Sequence, residues 1–240
     1  MTQWWLVAAM GLAGFVQSTI GFGFGIVTMG LVGWLVGVRE TAVLSAGAAL
    51  SLNLFVLWRL RAHFRWERTV PIFATVLVGA PFGVLFLAHA EPRLLHLLLG
   101  LLLVASAVQS RIERLAAWRW HPVWLGGPCG LLSGALSGAF GTGGPPLVVF
   151  VSSQRYDRLR YVATVQLLLA ASNVVRCEEL LRRGLLSWSL LPGSGLGVIG
   201  ALAGALLGLR LLRRLPDRVL RIVVALFLLL MGIRYLALCA

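Results

Sequence analysis

Residues Gly134 to Val151 read GALSGAFGTGGPPLVVFV, and the reading of this stretch decides the fold. It is apolar enough to lie in a bilayer, yet it holds five glycines and the pair Pro145-Pro146. Relative to alanine, a glycine inside a helix costs about 1 kcal/mol and a proline about 3 kcal/mol, so the helix is expected to break here. Lipid cannot satisfy the amides and carbonyls that a break frees. Irregular backbone at membrane depth survives only where protein buries it or where it lines a watery cavity. A break of this kind points to a ligand path.

Working outward, a second copy lies 120 residues upstream, where Gly14 to Val32 read GFVQSTIGFGFGIVTMGLV. Gly14, Gly21 and Gly23 align with Gly134, Gly141 and Gly143, and the same offset pairs Asn53 with Asn173. An offset of 121 pairs Pro71 with Pro192 and Gly79 with Gly200, and Pro92 and Pro216 follow after a short insertion. Glycine in membrane helices also serves close packing, so its spacing alone does not decide the matter. The asparagines and prolines, recurring in one order, indicate a duplicated architecture.

Of the 240 residues 59% are hydrophobic and 12% charged, with a mean hydropathy of +0.91. These values belong to polytopic membrane proteins. All 21 basic residues are arginine, against eight acidic ones, for a formal charge of +13. They fall between apolar runs and leave no basic domain for a duplex, so no nucleic-acid partner is expected; loops facing the anionic lipid bilayer account for them. Cys129, Cys177 and Cys239 are few, widely spaced and each in or beside an apolar stretch, so they suggest neither a disulfide framework nor a clustered metal motif, and His63, His89, His96 and His121 do not converge. There is no Walker, Gly-x-Ser-x-Gly or His-Glu-x-x-His pattern, and no acidic residue deep in an apolar run. The expectation is therefore no enzyme, no cofactor, and no proton relay through a buried carboxylate. The first residues, MTQWWLVAAMGLAGFVQ, lack the basic start of a secretory signal and read as an uncleaved first helix.

A helix that crosses the hydrocarbon core needs roughly 20 apolar residues. Segments bounded by arginine, proline and glycine lie near 4–20, 22–37, 41–58, 70–88 and 93–110, then 122–138, 143–154, 160–177, 187–209 and 216–238. The expected fold is thus all-α, a multi-pass cell-membrane protein of two five-segment repeats, 1–110 and 122–240, joined through 111–121. If the chain turns back at each glycine tract, fifteen arginines share one side and six the other. If each tract is a single crossing, the split is eleven to ten. The positive-inside rule favours the first count, which makes the halves inverted, places both termini outside and puts 111–121 in the cytoplasm. Inverted repeats with broken helices at the midplane are a transporter plan.

A break exposes the amides at the start of the next half-helix, where the dipole adds about half a positive charge, so an anion can bind there without a buried lysine. Gly141, Thr142, Gly143 and Gly144 would admit an oxyanion close to the backbone, with Pro145 and Pro146 suited to a first turn that needs no N–H. Gly21, Gly23 and Gly25 would do the same in the first half. Gln17, Ser18, Thr19, Ser133, Ser137, Asn53, Thr164, Gln166 and Asn173 supply uncharged donors nearby. Serine and threonine also bond back to their own helix, which is the commoner use of any single one. Arg59 and Arg176 close the segments that carry the matched asparagines and read as interfacial anchors before anion collectors.

These motifs, GLLSGALSGAFGTGGPPLVVFV with YVATVQLLLAASNVVR and the first copy GFVQSTIGFGFGIV, resemble the sulfite exporter TauE/SafE family across nearly the whole chain. The resemblance implies a permease that exports small sulfur-containing or organic anions, such as sulfite or sulfoacetate. The family's glycine-rich motif falls on Gly21, Gly23 and Gly25 and on Gly141 to Pro146, the first copy having Phe22 and Phe24 between glycines and no proline pair. The main expectation is alternating access around a small anionic substrate, with a passive anion channel and an accessory membrane subunit as alternatives. Proton or ion coupling and homo-oligomeric assembly are both compatible with the chain.

Overall fold

The computed structural model describes residues 4–63, 69–109, 122–154, 156–185, 191–211 and 217–238, without the side chains of 122–125, 191–192 and 217–221. The connection 111–121 and several of the arginines counted above lie outside the described residues. Among the described residues every regular element is helical: α1 Trp4–Ile20, α2 Phe24–Val36, α3 Val38–Leu60 with a 3-10 turn Arg61–His63, α4 Val70–His89 and α5 Pro92–Gln109. Then follow α6 Pro122–Phe140, α7 Gly144–Ser153, α8 Arg158–Arg182, α9 Leu191–Leu211 and α10 Asp217–Ala237. The two sets of five run in the same order with similar lengths.

Local chemistry sets the ends. Pro71, Pro92, Pro122, Pro145 and Pro192 each open a helix, where the missing N–H has no intrahelical acceptor to lose. Asp157 caps α8 by accepting from the Arg160 amide at 3.3 Å. At the other end Arg182 pairs with Glu178 at 2.6 Å and Arg183 with Glu179 at 3.1 Å. Gly184 then stops the helix, with Leu185 N–H donating to the Leu180 carbonyl at 3.0 Å. These i,i+4 pairs carry α8 to Arg182, beyond the expected end at 177, so Arg176 sits inside the helix and not at its margin.

Four helices, Val38–His63, Val70–His89, Pro92–Gln109 and Gly193–Leu211, are long and apolar enough to cross a membrane, while α1, α2, α7 and residues 222–237 are shorter apolar helices. The fourth helix of each set lies along the first helix of the other, α9 on α1 and α4 on α6, and α3 meets α8 as α5 meets α10. Gly200, Gly204 and Gly208 of α9 rest on the carbonyls of Val7, Gly11 and Phe15. Gly130, Gly134 and Gly138 of α6 rest on those of Ile72, Val76 and Ala80. Between lipid-exposed helices there is no hydrophobic drive, so close van der Waals contact through small residues holds the pairs together. Of the aligned glycines, Gly14 and Gly134 belong to these seams.

Helices α4, α5, α9 and α10 turn large apolar side chains outward, among them Phe82, Leu101, Ile199 and Leu230. In contrast, α2 and α7 are buried along most of their length. Trp4 and Trp58 are exposed at helix ends. The Arg59 and Arg61 guanidiniums lie over the Trp58 ring, and that of Arg234 lies 4.0 Å over Trp34, as cations and aromatics do in an interfacial belt. The Tyr235 hydroxyl donates to the Met29 carbonyl at 2.8 Å and ties α10 to the enclosed α2.

Candidate functional site

The two glycine tracts interrupt the helices and touch. Helix α1 stops at Ile20 and α2 begins at Phe24; α6 stops at Phe140 and α7 begins at Gly144. A Cβ on Gly25 would overlap the Gly141 carbonyl, and one on Gly144 would lie 2.7 Å from Phe22 Cβ, so each interruption occupies the space that the other's side chains would need. Gly23, at φ 119°, and Gly141, at φ 69°, take left-handed backbone that L side chains avoid.

Around the first interruption the polar groups satisfy one another. The Gln17 carboxamide oxygen accepts the Phe24 amide at 2.9 Å, capping α2 from seven residues upstream. Its Nε2 donates to Asn53 Oδ1 and, at 3.3 Å, to Gln166 Oε1. Gln166 Nε2 in turn donates to the Gly21 carbonyl at 3.2 Å. Gln17, Asn53, Gln166 and Gly21 thus form one closed, neutral and buried set drawn from α1, α3 and α8. Ser18 and Thr19 are not part of it: their hydroxyls bond back to the carbonyls of Gly14, Phe15 and Val16, and Ser18 packs on Gly208 of α9.

The second interruption is built differently. Gly141 N–H donates to the Ser137 carbonyl at 2.8 Å, and Thr142 N–H to that of Leu136 at 3.3 Å. Ser133 Oγ donates to the Gly143 carbonyl at 2.7 Å, while Gln109 Nε2 of α5 reaches the Pro145 carbonyl at 2.8 Å. No side chain of the capping residue closes the α7 N-terminus. The Ser137 hydroxyl, fully buried one turn ahead of the break, has no hydrogen-bond partner among the described residues. Buried Ser172 and Thr164 on α8 and Thr41 on α3 are in the same state.

Beside Gly141 lies Arg176, the largest fully buried side chain among the described residues. A Cβ on Gly141 would overlap its Nη1. The guanidinium donates to the Ala42 carbonyl at 2.6 Å and to Asn173 Oδ1 at 3.4 Å, and Asn173 Nδ2 donates to the Leu169 carbonyl at 2.9 Å. Its Nε has no partner. The described ion pairs join Arg182 to Glu178 and Arg183 to Glu179, so no carboxylate among the described residues meets Arg176. The reading of Arg176 as an interfacial anchor is therefore corrected: a cation stands at the centre, with Asn173, against the bare backbone of the break. The missed signal was the helical register, since Arg176 lies one turn beyond Asn173 and shares its inward face. Arg59, by contrast, is exposed and lies over the Phe55 and Trp58 rings.

The family model for sulfite exporter TauE/SafE matches residues 6–235. The chain belongs to this family. Two relatives are similar along most of their length. A "Probable sulfite/organosulfonate exporter TauE" of Cupriavidus necator H16 is 24% identical over 211 residues, 85% of this chain and 82% of that protein. A "Probable membrane transporter protein" of Xylella fastidiosa Temecula1 is 26% identical over 227 residues, 87% of this chain and 84% of that protein. No solved structure matches the chain. Membership makes this TauE/SafE protein a membrane transporter, not an enzyme.

One expected result follows from Gly141 alone. In this TauE/SafE chain Gly141→Ala forces alanine into left-handed backbone, at about 1–2 kcal/mol, and drives a methyl group into the guanidinium. Its thermal midpoint in detergent should fall by several degrees; an unchanged midpoint would show that neither constraint holds.

Proposed function

We propose that the protein is a secondary transporter that exports small sulfite- or organosulfonate-type anions across the cell membrane by alternating access. The two five-helix halves, inverted with respect to each other, would move about the contact between their glycine interruptions. The reading is carried by one observation: a wholly buried arginine without a carboxylate, set against an uncapped helix N-terminus. Burying an unpaired cation costs several kcal/mol, and an anion arriving between Arg176 and the amides of Gly143 and Gly144 would offset that cost. Ser137, Gly141, Thr142, Asn173 and Pro145 would frame it, and Gln17, Gly21, Gly23, Gly25, Asn53 and Gln166 would form the opposing wall. Neutral hydroxyls and amides around a single charge suit a solute that must also leave.

Efflux of sulfite and methanesulfonate from proteoliposomes tests this. The wild type should release both faster than protein-free vesicles, and Asn173→Ala and Gly143→Leu should each slow release at least tenfold. Wild-type rates in both variants would overturn the site. Uphill movement under an imposed ion gradient separates a transporter from a passive channel, and absence of any flux would leave an accessory subunit.

A further inference from the structure

The two interruptions hold equivalent places in the chain but differ in backbone, Gly23 being left-handed at φ 119° where Gly143 has φ −66°, and they differ in chemistry. Position 17 of the first half corresponds to 137 of the second, and position 56 to 176. Gln17 is long enough to bring its own carboxamide oxygen to the Phe24 amide, so the α2 N-terminus already holds a negative dipole end. Where the second half has Arg176, the first has the buried Val56. The first interruption is thus capped by Gln17, with Arg158 Nη2 donating to the Thr19 carbonyl at 3.3 Å just ahead of it. In the second, the residue at the capping position is Ser137, too short to reach across, with its buried hydroxyl unpartnered. A cation stands beside it with a free Nε. What Gln17 supplies permanently to α2, α7 lacks.

Building on the transport reading, we infer that the chain binds one anionic head group, singly charged, at the second interruption only. The Gln17 carboxamide is a fixed stand-in for that anion at the first. An oxyanion seated at the α7 N-terminus would accept from the amides of Gly143 and Gly144, from Ser137 Oγ and from Arg176 Nε. It would occupy the place that the Gln17 oxygen takes in the other half. One guanidinium neutralises one negative charge. A dianion at the same place would leave a net charge in a desolvated centre, where no second cation among the described residues meets it. The ligand class is therefore a monoanionic head group, which among the anions of the transport reading means a sulfonate or hydrogensulfite, and the asymmetry lets one half carry solute while the other serves as a counterface capped by its own Gln17.

The test is calorimetric titration of the purified full-length protein in nanodiscs with methanesulfonate and, separately, sulfate. The expected result is one methanesulfonate per chain, bound at least tenfold more tightly than sulfate. Arg176→Met should weaken methanesulfonate at least 100-fold with no residual site, while Arg176→Lys, which keeps the charge, should retain one site about tenfold weaker. Two sites per chain, or one persisting in Arg176→Met, would overturn the inference and leave export standing if wild-type efflux is normal. Equal or tighter binding of sulfate would overturn its monoanionic part. A wild type that neither binds nor releases methanesulfonate or sulfite would remove the transport reading and this inference with it.

Discussion

Arg176→Met should abolish anion export while leaving the folded protein about as stable as before. In the substrate-bound state the guanidinium would be the only full positive charge of the described residues facing the solute. Removing one partner of a buried ion pair typically costs about 3–5 kcal/mol, which at roughly 1.4 kcal/mol per decade corresponds to a loss of two to more than three orders of magnitude. The stability effect should be small for a different reason. Without solute, Arg176 is a desolvated cation that no carboxylate neutralises, and replacing such a charge by an apolar chain of similar length is often neutral or favourable. Against that gain stand the lost bonds to the Ala42 carbonyl and Asn173 Oδ1, each about 1.5–3 kcal/mol for a charged donor. Efflux assays together with thermal midpoints in detergent check both halves. Export that survives the substitution, or a variant that fails to fold while Arg176→Lys folds, would make Arg176 a structural clamp between α3 and α8.

The second large effect is expected far from the solute. Gly204→Ala puts a methyl group onto the Gly11 carbonyl oxygen, and Gly83→Ala puts one onto that of Ala135. In both cases the obstacle is backbone, so no side chain can turn away, and α9 must separate from α1 or α4 from α6. Overpacking of this kind costs about 1–3 kcal/mol and more where nothing can shift, and in a bilayer the separated helices forfeit the close contact that holds them. Each variant should lower the melting midpoint by ten degrees or more, or fail to yield monodisperse protein. Gly47→Ala is the matched control: a Cβ there meets nothing within 4 Å, and alanine's better helix propensity, about 1 kcal/mol, should leave that variant at least as stable as wild type. Equal midpoints for all three substitutions would disprove the tight seams.

Much of the fold was legible in the residues because its causes are local. Proline at a first turn, glycine where the backbone must turn left-handed, and apolar runs of membrane length act within a few neighbours, and the segment limits read from them differ from the helices by only a few residues over most of the chain. The largest departures lay where side-chain pairs compete with composition. Residues Arg176 to Arg183 look like a charged loop after an apolar run, but Glu178 with Arg182 and Glu179 with Arg183 stabilise further helix. That misplaced end also hid the central arginine, since a charge at a helix margin is ordinarily solvated. Among the hydroxyls, spacing could not separate Ser18 and Thr19, spent on their own helix, from Ser137, which is not.

By itself the amino-acid sequence determined that the chain lives in lipid, that it is helical, where most of the helices start and stop to within a few residues, and that two glycine tracts in equivalent positions break them. These are properties of segments, set by backbone hydrogen bonding and by the free energy of transferring side chains out of water. Only the tertiary structure decided that the fourth helix of each half leans on the first helix of the other, which glycines are seams and which are breaks, and that Gln17 closes one break while Arg176 stands open beside the other. Those outcomes depend on what lies across contacts between residues far apart in the chain, 36 and 149 positions for the bonds of Gln17 to Asn53 and Gln166, and burial of a charge has no meaning until the surfaces that bury it are in place.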